Sequence, residues 1–137
     1  MHRNEEHYPD PTFAAAYMNM RKNKNNGEVF VPWVYIASPL RGDIEGNIQR
    51  AKEYCRFVIK QKKLPLCPHI YFTQFLNDRI ESERRIGMLY GIHMLKRCKE
   101  LWVFGDRISE GMQSEIKIAK DRNMPIRYFD NAMKEVL

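Results

Sequence analysis

The strongest constraint on the fold is a regular alternation, from Val31 onward, of apolar strand-like runs with amphipathic segments of helical length. The pattern predicts strands over 31–38, 64–68, 100–105 and 125–129, helices over about 45–62, 81–98 and 110–122, and a short C-terminal tail helix. Strands separated by helices of this length favour a parallel sheet with right-handed crossovers. We therefore predict a doubly wound, Rossmann- or flavodoxin-like, three-layer α/β domain with four or five parallel strands.

The N-terminal segment lacks this alternation. Residues 1–10 look like a loose arm, "PTFAAAYMNMRKN" like a short helix started by Pro11 and Thr12, and "KNKNNGE" like a polar linker. A chain of 137 residues fits one domain. We expect an N-terminal arm over 1–30 and a single domain over 31–137.

Composition argues against a membrane protein and against a metal site. No apolar run approaches the roughly 20 residues of a membrane span, and the start "MHRNEEHYPDP" lacks the apolar core of a signal peptide. Cys55, Cys67 and Cys98 form no Cys-x-x-Cys pair, and with His69 and His93 they show no standard ligand spacing. We expect a soluble cytoplasmic protein with no metal, no disulfide framework and no membrane partner.

The net charge is +6, from 23 Lys and Arg against 17 Asp and Glu, which favours anionic ligands. The basic residues are scattered through "KQKK", "ERR", "KRCK" and "KIAKDR" rather than gathered in one arm. This pattern is typical of solvated helix faces, so nucleic acid is an unlikely partner and a small anion a better one.

Two loops that follow strands carry the candidate binding residues. In an open parallel sheet, ligands collect beyond the carboxyl ends of the strands. The first loop has Arg41, which can grip a phosphate or carboxylate, beside Gly42, which permits a tight turn. In "FGDRISEGMQSEIKIAK", Ser109 can cap a helix, Gly111 leaves its first amides open, and Glu115 follows in the second turn. Spacing alone also allows an ordinary surface turn and a helix-terminal charge.

The segment after the second predicted strand, "HIYFTQFLND", contains Tyr71, Phe72 and Phe75. These rings could stack on a base, and they could equally be the packing face of a short helix.

The motifs "YIASPLRG" and "ISEGMQSEI" resemble the two signatures of the nucleoside 2-deoxyribosyltransferase superfamily, which includes the 2'-deoxynucleoside 5'-phosphate N-hydrolases. Within it, the chain is most similar to small bacterial and phage domains of the DUF4406 type, over about 31–129. The resemblance implies Glu115 and Tyr35 as catalytic residues and no cofactor. It implies these substrate-binding residues: Ser38, Pro39, Leu40, Arg41, Gly42, His69, Ser109, Gly111 and Met112.

The resemblance also implies a reaction on a nucleoside or nucleoside 5'-monophosphate. The glutamate would attack C1' of the deoxyribose, and water or a second base would resolve the glycosyl-enzyme. The family places an aspartate about 24 residues before the glutamate, where this chain has Gly91. Candidate substitutes are Asp43, Asp78, Glu83, Asp106 and His93. Without that acid, the alternative is a catalytically silent nucleotide-binding module that acts as a sensor or sponge.

The predicted helix over 81–98 carries two apolar stripes. One stripe is Met88, Ile92 and Leu95, and the other is Ile86, Leu89, Tyr90 and His93. A helix with two apolar faces is buried twice, either deep inside the monomer or at a subunit interface. We favour the interface and expect a homo-oligomer, most simply a dimer, joined through this helix.

Overall fold

The computed structural model describes residues 30–136, so the predicted arm, N-terminal helix and polar linker lie outside the described part. The described strands are β1 (Trp33–Ala37), β2 (Leu64–Leu66), β3 (Glu100–Phe104), β4 (Ile126–Phe129) and β5 (Glu135–Val136). The described helices are α1 (Ile44–Lys60), α2 (Pro68–Phe72), α3 (Glu81–Lys96) and α4 (Glu110–Asp121). None of these four helices is long and apolar enough to cross a membrane.

The strands form one sheet in the order β2-β1-β3-β4-β5. The first four run parallel, and β5 pairs antiparallel with β4. The predicted doubly wound α/β fold is therefore confirmed, with one antiparallel edge strand added. From β1 the chain adds β2 on one side of the sheet and then β3 on the other, so the direction of strand addition reverses between β1 and β3. Ligands of such sheets bind beyond the carboxyl ends of the strands at this reversal.

The sheet has a core on each face, because successive side chains of a strand point to opposite sides. Val34 and Ile36 of β1 pack in one core, which α1 covers with Ala51, Tyr54 and Val58. The other face is covered by α3 and α4 through Leu95, Met112, Ile116 and Ala119, and it receives Tyr35 and Ala37 of β1. This arrangement confirms the three layers and turns the Tyr35 side chain toward α3 and α4.

Side-chain caps start the two helices that follow β1 and β3. The Asp43 carboxylate accepts a hydrogen bond from the Gly46 amide at 3.1 Å, at the start of α1. The Ser109 hydroxyl accepts one from the Met112 amide at 3.3 Å, at the start of α4, as the sequence predicted. Each cap satisfies an amide that the helix leaves without a partner, so both helices begin directly after a strand-end loop.

The predicted C-terminal tail helix is wrong: residues 130–136 form a turn and then β5. The Asp130 carboxylate accepts hydrogen bonds from the amides of Ala132 and Lys134, each at 2.9 Å. Glu135 accepts two hydrogen bonds from the Arg127 guanidinium of β4, at 2.8 and 2.6 Å. The side chain of Asp130 thus offers the backbone a turn in place of a helix, and the ion pair fixes the short strand beside β4.

The opposite edge of the sheet is β2, with the sequence Leu-Pro-Leu. The Leu64 amide donates to the Pro32 carbonyl on the β1 side, at 2.9 Å. Amide directions alternate along a strand, so the nitrogen of Pro65 faces away from β1. Proline is tolerated there because it removes no hydrogen bond between the two strands.

Candidate active site

A cavity of about 250 Å³ opens where the loops after β1 and β3 meet α2 and α3. It brings together ten of the predicted site residues: Tyr35, Ser38, Pro39, Leu40, Arg41, His69, Ser109, Gly111, Met112 and Glu115. Gly42 lies outside the lining. Its φ of 95° falls in the left-handed region that favours glycine, so it serves the turn rather than a ligand contact.

A hydrogen bond between β1 and α4 lies at the lining of the cavity. The buried Tyr35 hydroxyl donates to Oε2 of Glu115 at 2.6 Å. Glu115 lies in the second turn of α4, beside the buried side chains of Met112 and Ile116. The Glu115 carboxylate is therefore held at the boundary between the core and the cavity, with the Tyr35 hydroxyl as donor to one of its oxygens.

The surroundings shift the pKa values of both Glu115 and Tyr35. Burial raises the pKa of Glu115 from 4.5 to about 7, although the hydrogen bond from Tyr35 acts in the opposite direction. Burial raises the pKa of Tyr35 well above its usual value, and the Glu115 charge adds to this shift. Tyr35 thus remains a proton donor, while Glu115 exchanges its proton near neutral pH. A carboxyl group of this kind can serve as a nucleophile when ionised.

His69, in the first turn of α2, connects this helix to the end of β1. Its Nε2 lies 2.8 Å from the Ser38 carbonyl oxygen. A carbonyl can only accept, so Nε2 carries the proton and Nδ1 of the neutral ring is an acceptor. Burial lowers the pKa of His69, against the raising effects of the Ser38 carbonyl and Asp78, so the ring is neutral at pH 7. The Ser38 hydroxyl is buried and has no hydrogen-bond partner within residues 30–136.

Arg41 meets a carboxylate at the cavity. Its Nε lies 3.7 Å from Oδ2 of Asp78, in the segment between α2 and α3. The Arg41 side chain is 61% exposed and the Asp78 side chain 16%. Oδ2 of Asp78 is buried and, like the Ser38 hydroxyl, has no hydrogen-bond partner in the described part of the chain.

Two arginines that were not predicted as site residues also line the cavity, Arg84 and Arg107. Arg107 follows β3, where binding residues are expected, so its position was a usable signal. The basic residues of "ERR" predict a solvated face, yet Arg84 lines the cavity. It shares one side of α3 with the cavity-lining Gly87 and Gly91, at helical spacing of three and seven residues, and that spacing was the available signal.

Gly91, where the resemblance to the deoxyribosyltransferases implies an aspartate, lies on the α3 wall of the same cavity. A Cβ atom placed there would lie 3.2 Å from the Tyr35 hydroxyl and 3.5 Å from Cγ of Pro68. The backbone of α3 therefore approaches the Tyr35–Glu115 pair closely without offering a side chain to it.

Of the candidate substitutes for that acid, Asp78 and Glu83 line the cavity. Glu83 accepts a hydrogen bond from the Asn77 amide at 2.6 Å, so one of its oxygens is occupied in the turn before α3. The remaining candidates, Asp43, Asp106 and His93, do not belong to the lining. Within residues 30–136, His, Cys, Asp and Glu side chains form no group of three that could hold a metal ion.

The aromatic side chains of "HIYFTQFLND" form a cluster at α2. Tyr71, Phe72 and Phe75 meet edge to face, with ring centroids 5.1 to 5.9 Å apart. Phe72 also lines the cavity, whereas Tyr71 and Phe75 are exposed and lie outside its lining. The packing of these three rings against one another therefore explains most of this motif.

Comparison with known proteins agrees with this architecture. A family model described as "Domain of unknown function (DUF7768)" matches residues 32–129. Among solved structures, the chain is similar to the 2-deoxyribosyltransferase from the psychrotolerant bacterium Bacillus psychrosaccharolyticus, with a TM-score of 0.55 and 15% identity over 77% of this chain and 76% of that chain. At this identity the likeness concerns the fold. A search of curated proteins gives no match.

The predicted α/β fold is thus confirmed, and the assignments to the nucleoside 2-deoxyribosyltransferase superfamily and to DUF4406-type domains stay predictions. Since the matching model spans residues 32–129, well over half of the sequence, the chain belongs to the DUF7768 family.

Proposed function

We propose that this protein cleaves the N-glycosidic bond of a nucleoside or nucleoside 5'-monophosphate, by hydrolysis or by transfer of the deoxyribosyl group, with Glu115 as nucleophile. The observation that carries the proposal is the 2.6 Å hydrogen bond from Tyr35 to Glu115 at the lining of the cavity. The fold shared with a 2-deoxyribosyltransferase supports the same class of reaction.

The chemistry follows from the two oxygens of one carboxylate. Oε2 of Glu115 receives the Tyr35 hydrogen bond, so Oε1 is the oxygen that attacks C1'. The C1'–N bond breaks, its electron pair leaves with the base, and the base takes up a proton from water. Water or a second base then attacks C1' and releases the Glu115 carboxylate. The two displacements resemble those of retaining glycosidases.

Binding of an anionic ligand would use other residues of the cavity lining. Arg41 and Arg107 provide positive charge, and α4 directs its first amides and the positive end of its dipole toward the region of Ser109 and Gly111. A Cβ atom at Gly111 would have no neighbour within 4 Å, which leaves open space over the first turn of the helix.

A second candidate function is a nucleotide-binding module without turnover. Gly91 favours this second function, since the cavity wall has no side chain at the position where the deoxyribosyltransferase superfamily has an aspartate. Such a module would retain the anion-binding residues and would release no base.

We also propose that α3 joins two copies of the chain. Ile86, Leu89 and Tyr90 on this helix are 44, 54 and 52% exposed, and they belong to the second apolar stripe predicted from the sequence. Burial of such a face against a second copy removes apolar surface from water.

Incubation with a panel of nucleosides and 5'-monophosphates, followed by chromatography for free base, tests the proposal. Wild type should release base, and Glu115→Gln should release none while it binds within about tenfold, or ~1.4 kcal/mol, of wild type. Glu53→Gln, which removes an exposed carboxylate on α1, is the matched control and should behave as wild type.

Three other results would redirect the assignment. Tight binding without base release would favour the silent module. Full activity of Glu115→Gln would exclude Glu115 as the nucleophile. Neither binding nor release with any compound would overturn both candidate functions.

A further inference from the structure

Asp78 is a charged group in the cavity that the proposed reaction does not use. Asp78 lies in the segment between α2 and α3 and lines the cavity. Arg41, its neighbour there, belongs to the loop after β1. The two side chains come from different parts of the sequence and meet only in the fold.

Oδ2 of Asp78 is paired with Arg41 by charge but not by a hydrogen bond. Its Oδ2 lies 3.7 Å from Nε of Arg41, which is beyond hydrogen-bond distance. That oxygen is buried and has no hydrogen-bond partner among residues 30–136. His69, the other neighbour, donates its Nε2 proton to the Ser38 carbonyl and is neutral at pH 7, so it adds no positive charge. A carboxylate that is 16% exposed and has one buried oxygen without a hydrogen bond repels other anions that approach the same arginine.

Arg41, in contrast, is accessible. With its side chain 61% exposed, the guanidinium can turn toward a ligand in the cavity. An anion that binds Arg41 must then share it with Asp78, and two negative charges a few ångströms apart repel each other.

We propose that Asp78 sets the charge preference of the cavity, because its carboxylate competes with an anionic ligand for Arg41. The cavity therefore binds a 5'-monophosphate less tightly, relative to the uncharged nucleoside, than it would without this carboxylate. The comparison of these two ligands rests on the proposed function. The competition for Arg41 does not, since it applies to any anion.

The test measures dissociation constants by calorimetry for three probes: a nucleoside, its 5'-monophosphate and inorganic phosphate. Asp78→Asn removes the charge and keeps the shape. It should tighten binding of monophosphate and of inorganic phosphate by about tenfold, or ~1.4 kcal/mol, and change nucleoside binding by less than about threefold. Glu53→Gln removes one negative charge away from the cavity and should change none of the three constants by more than about twofold.

Asp78→Ser serves as a second variant in case Asp78→Asn folds poorly, and circular dichroism with thermal unfolding establishes that each variant is folded. Unchanged or weaker binding of inorganic phosphate to both folded variants would overturn the inference, since Asp78 would then position Arg41 for the anion. An equal gain in Glu53→Gln would also overturn it, since the effect would come from net charge. Tighter phosphate binding together with no nucleoside binding in any variant would support the role of Asp78 and refute the proposed function.

Discussion

Replacement of Glu115 by glutamine should stabilise the protein at alkaline pH. At that pH the native carboxylate is ionised, and its burial makes the charged form unfavourable. The pKa of Glu115 rises from 4.5 to about 7 on burial. Below pH 4.5 the group is protonated in both the folded and the unfolded chain, so it costs nothing. As pH rises from about 4.5 to about 7, the unfolded chain loses this proton while the folded chain still holds it, and above about 7 the folded carboxylate is ionised at its full cost. Stability therefore falls across this window.

The cost follows from the size of the shift. At about 1.4 kcal/mol for each pKa unit, a change from 4.5 to about 7 corresponds to about 3 kcal/mol in the free energy of unfolding. Glu115→Gln keeps an acceptor for the Tyr35 hydroxyl and removes the charge, so it should be about 3 kcal/mol more stable than wild type at pH 8 and within ~0.5 kcal/mol of it at pH 4.

Urea unfolding of both proteins at pH 4 and pH 8, followed by circular dichroism, measures the difference directly. Glu53→Gln, an exposed carboxylate on α1, is the control and should change stability by no more than ~0.5 kcal/mol at either pH. The reasoning is refuted if Glu115→Gln is no more stable than wild type at pH 8, or if its gain is the same at both values.

Three further outcomes follow from the site and from α3. Base release should increase as pH rises through about 7, because the nucleophile must be ionised; initial rates from pH 5 to 9 measure this, and a rate that falls over that range contradicts it. Arg41→Ala should weaken monophosphate binding by about 1.5–3 kcal/mol and nucleoside binding much less, as calorimetry would show; equal losses would mean that Arg41 does not contact the phosphate. Light scattering should give about twice the 16.4 kDa of one chain for wild type and for the control Glu53→Gln. Leu89→Glu, which places a charge on the proposed α3 interface, should give the mass of one chain. A monomeric wild type at micromolar concentration would exclude the interface.

Most of the sheet could be predicted because its signal is local. The apolar runs around Tyr35 and Trp102, separated by amphipathic helices, leave few alternatives to a parallel arrangement. The tail could not be predicted in the same way. "AMKEV" has residues that suit a helix, and the turn depends on one Asp130 carboxylate and on an ion pair between Arg127 and Glu135 across two strands. Contacts of that kind are decided by tertiary structure.

The site shows the same division. Glu115, Ser109 and Arg41 occupy loops and helix starts with recognisable spacing, and the structure places all three at one cavity. Asp78 lies in a segment without hydrophobic periodicity, where sequence offers no indication of direction. Its contact with Arg41 joins two separate loops, so it emerges only once the chain is folded.

Pro65 in β2 and the shortness of β5 restrict how copies of the chain can associate. A strand edge with free amides invites strand addition and, with it, open-ended growth. At β2 the outward position belongs to Pro65, which has no amide hydrogen to offer, and at the far side β5 spans only Glu135–Val136. Neither margin can template a long intermolecular strand. The proposed contact through α3 uses a helix face instead, and a face that meets its own copy about a two-fold axis produces closed pairs rather than fibres.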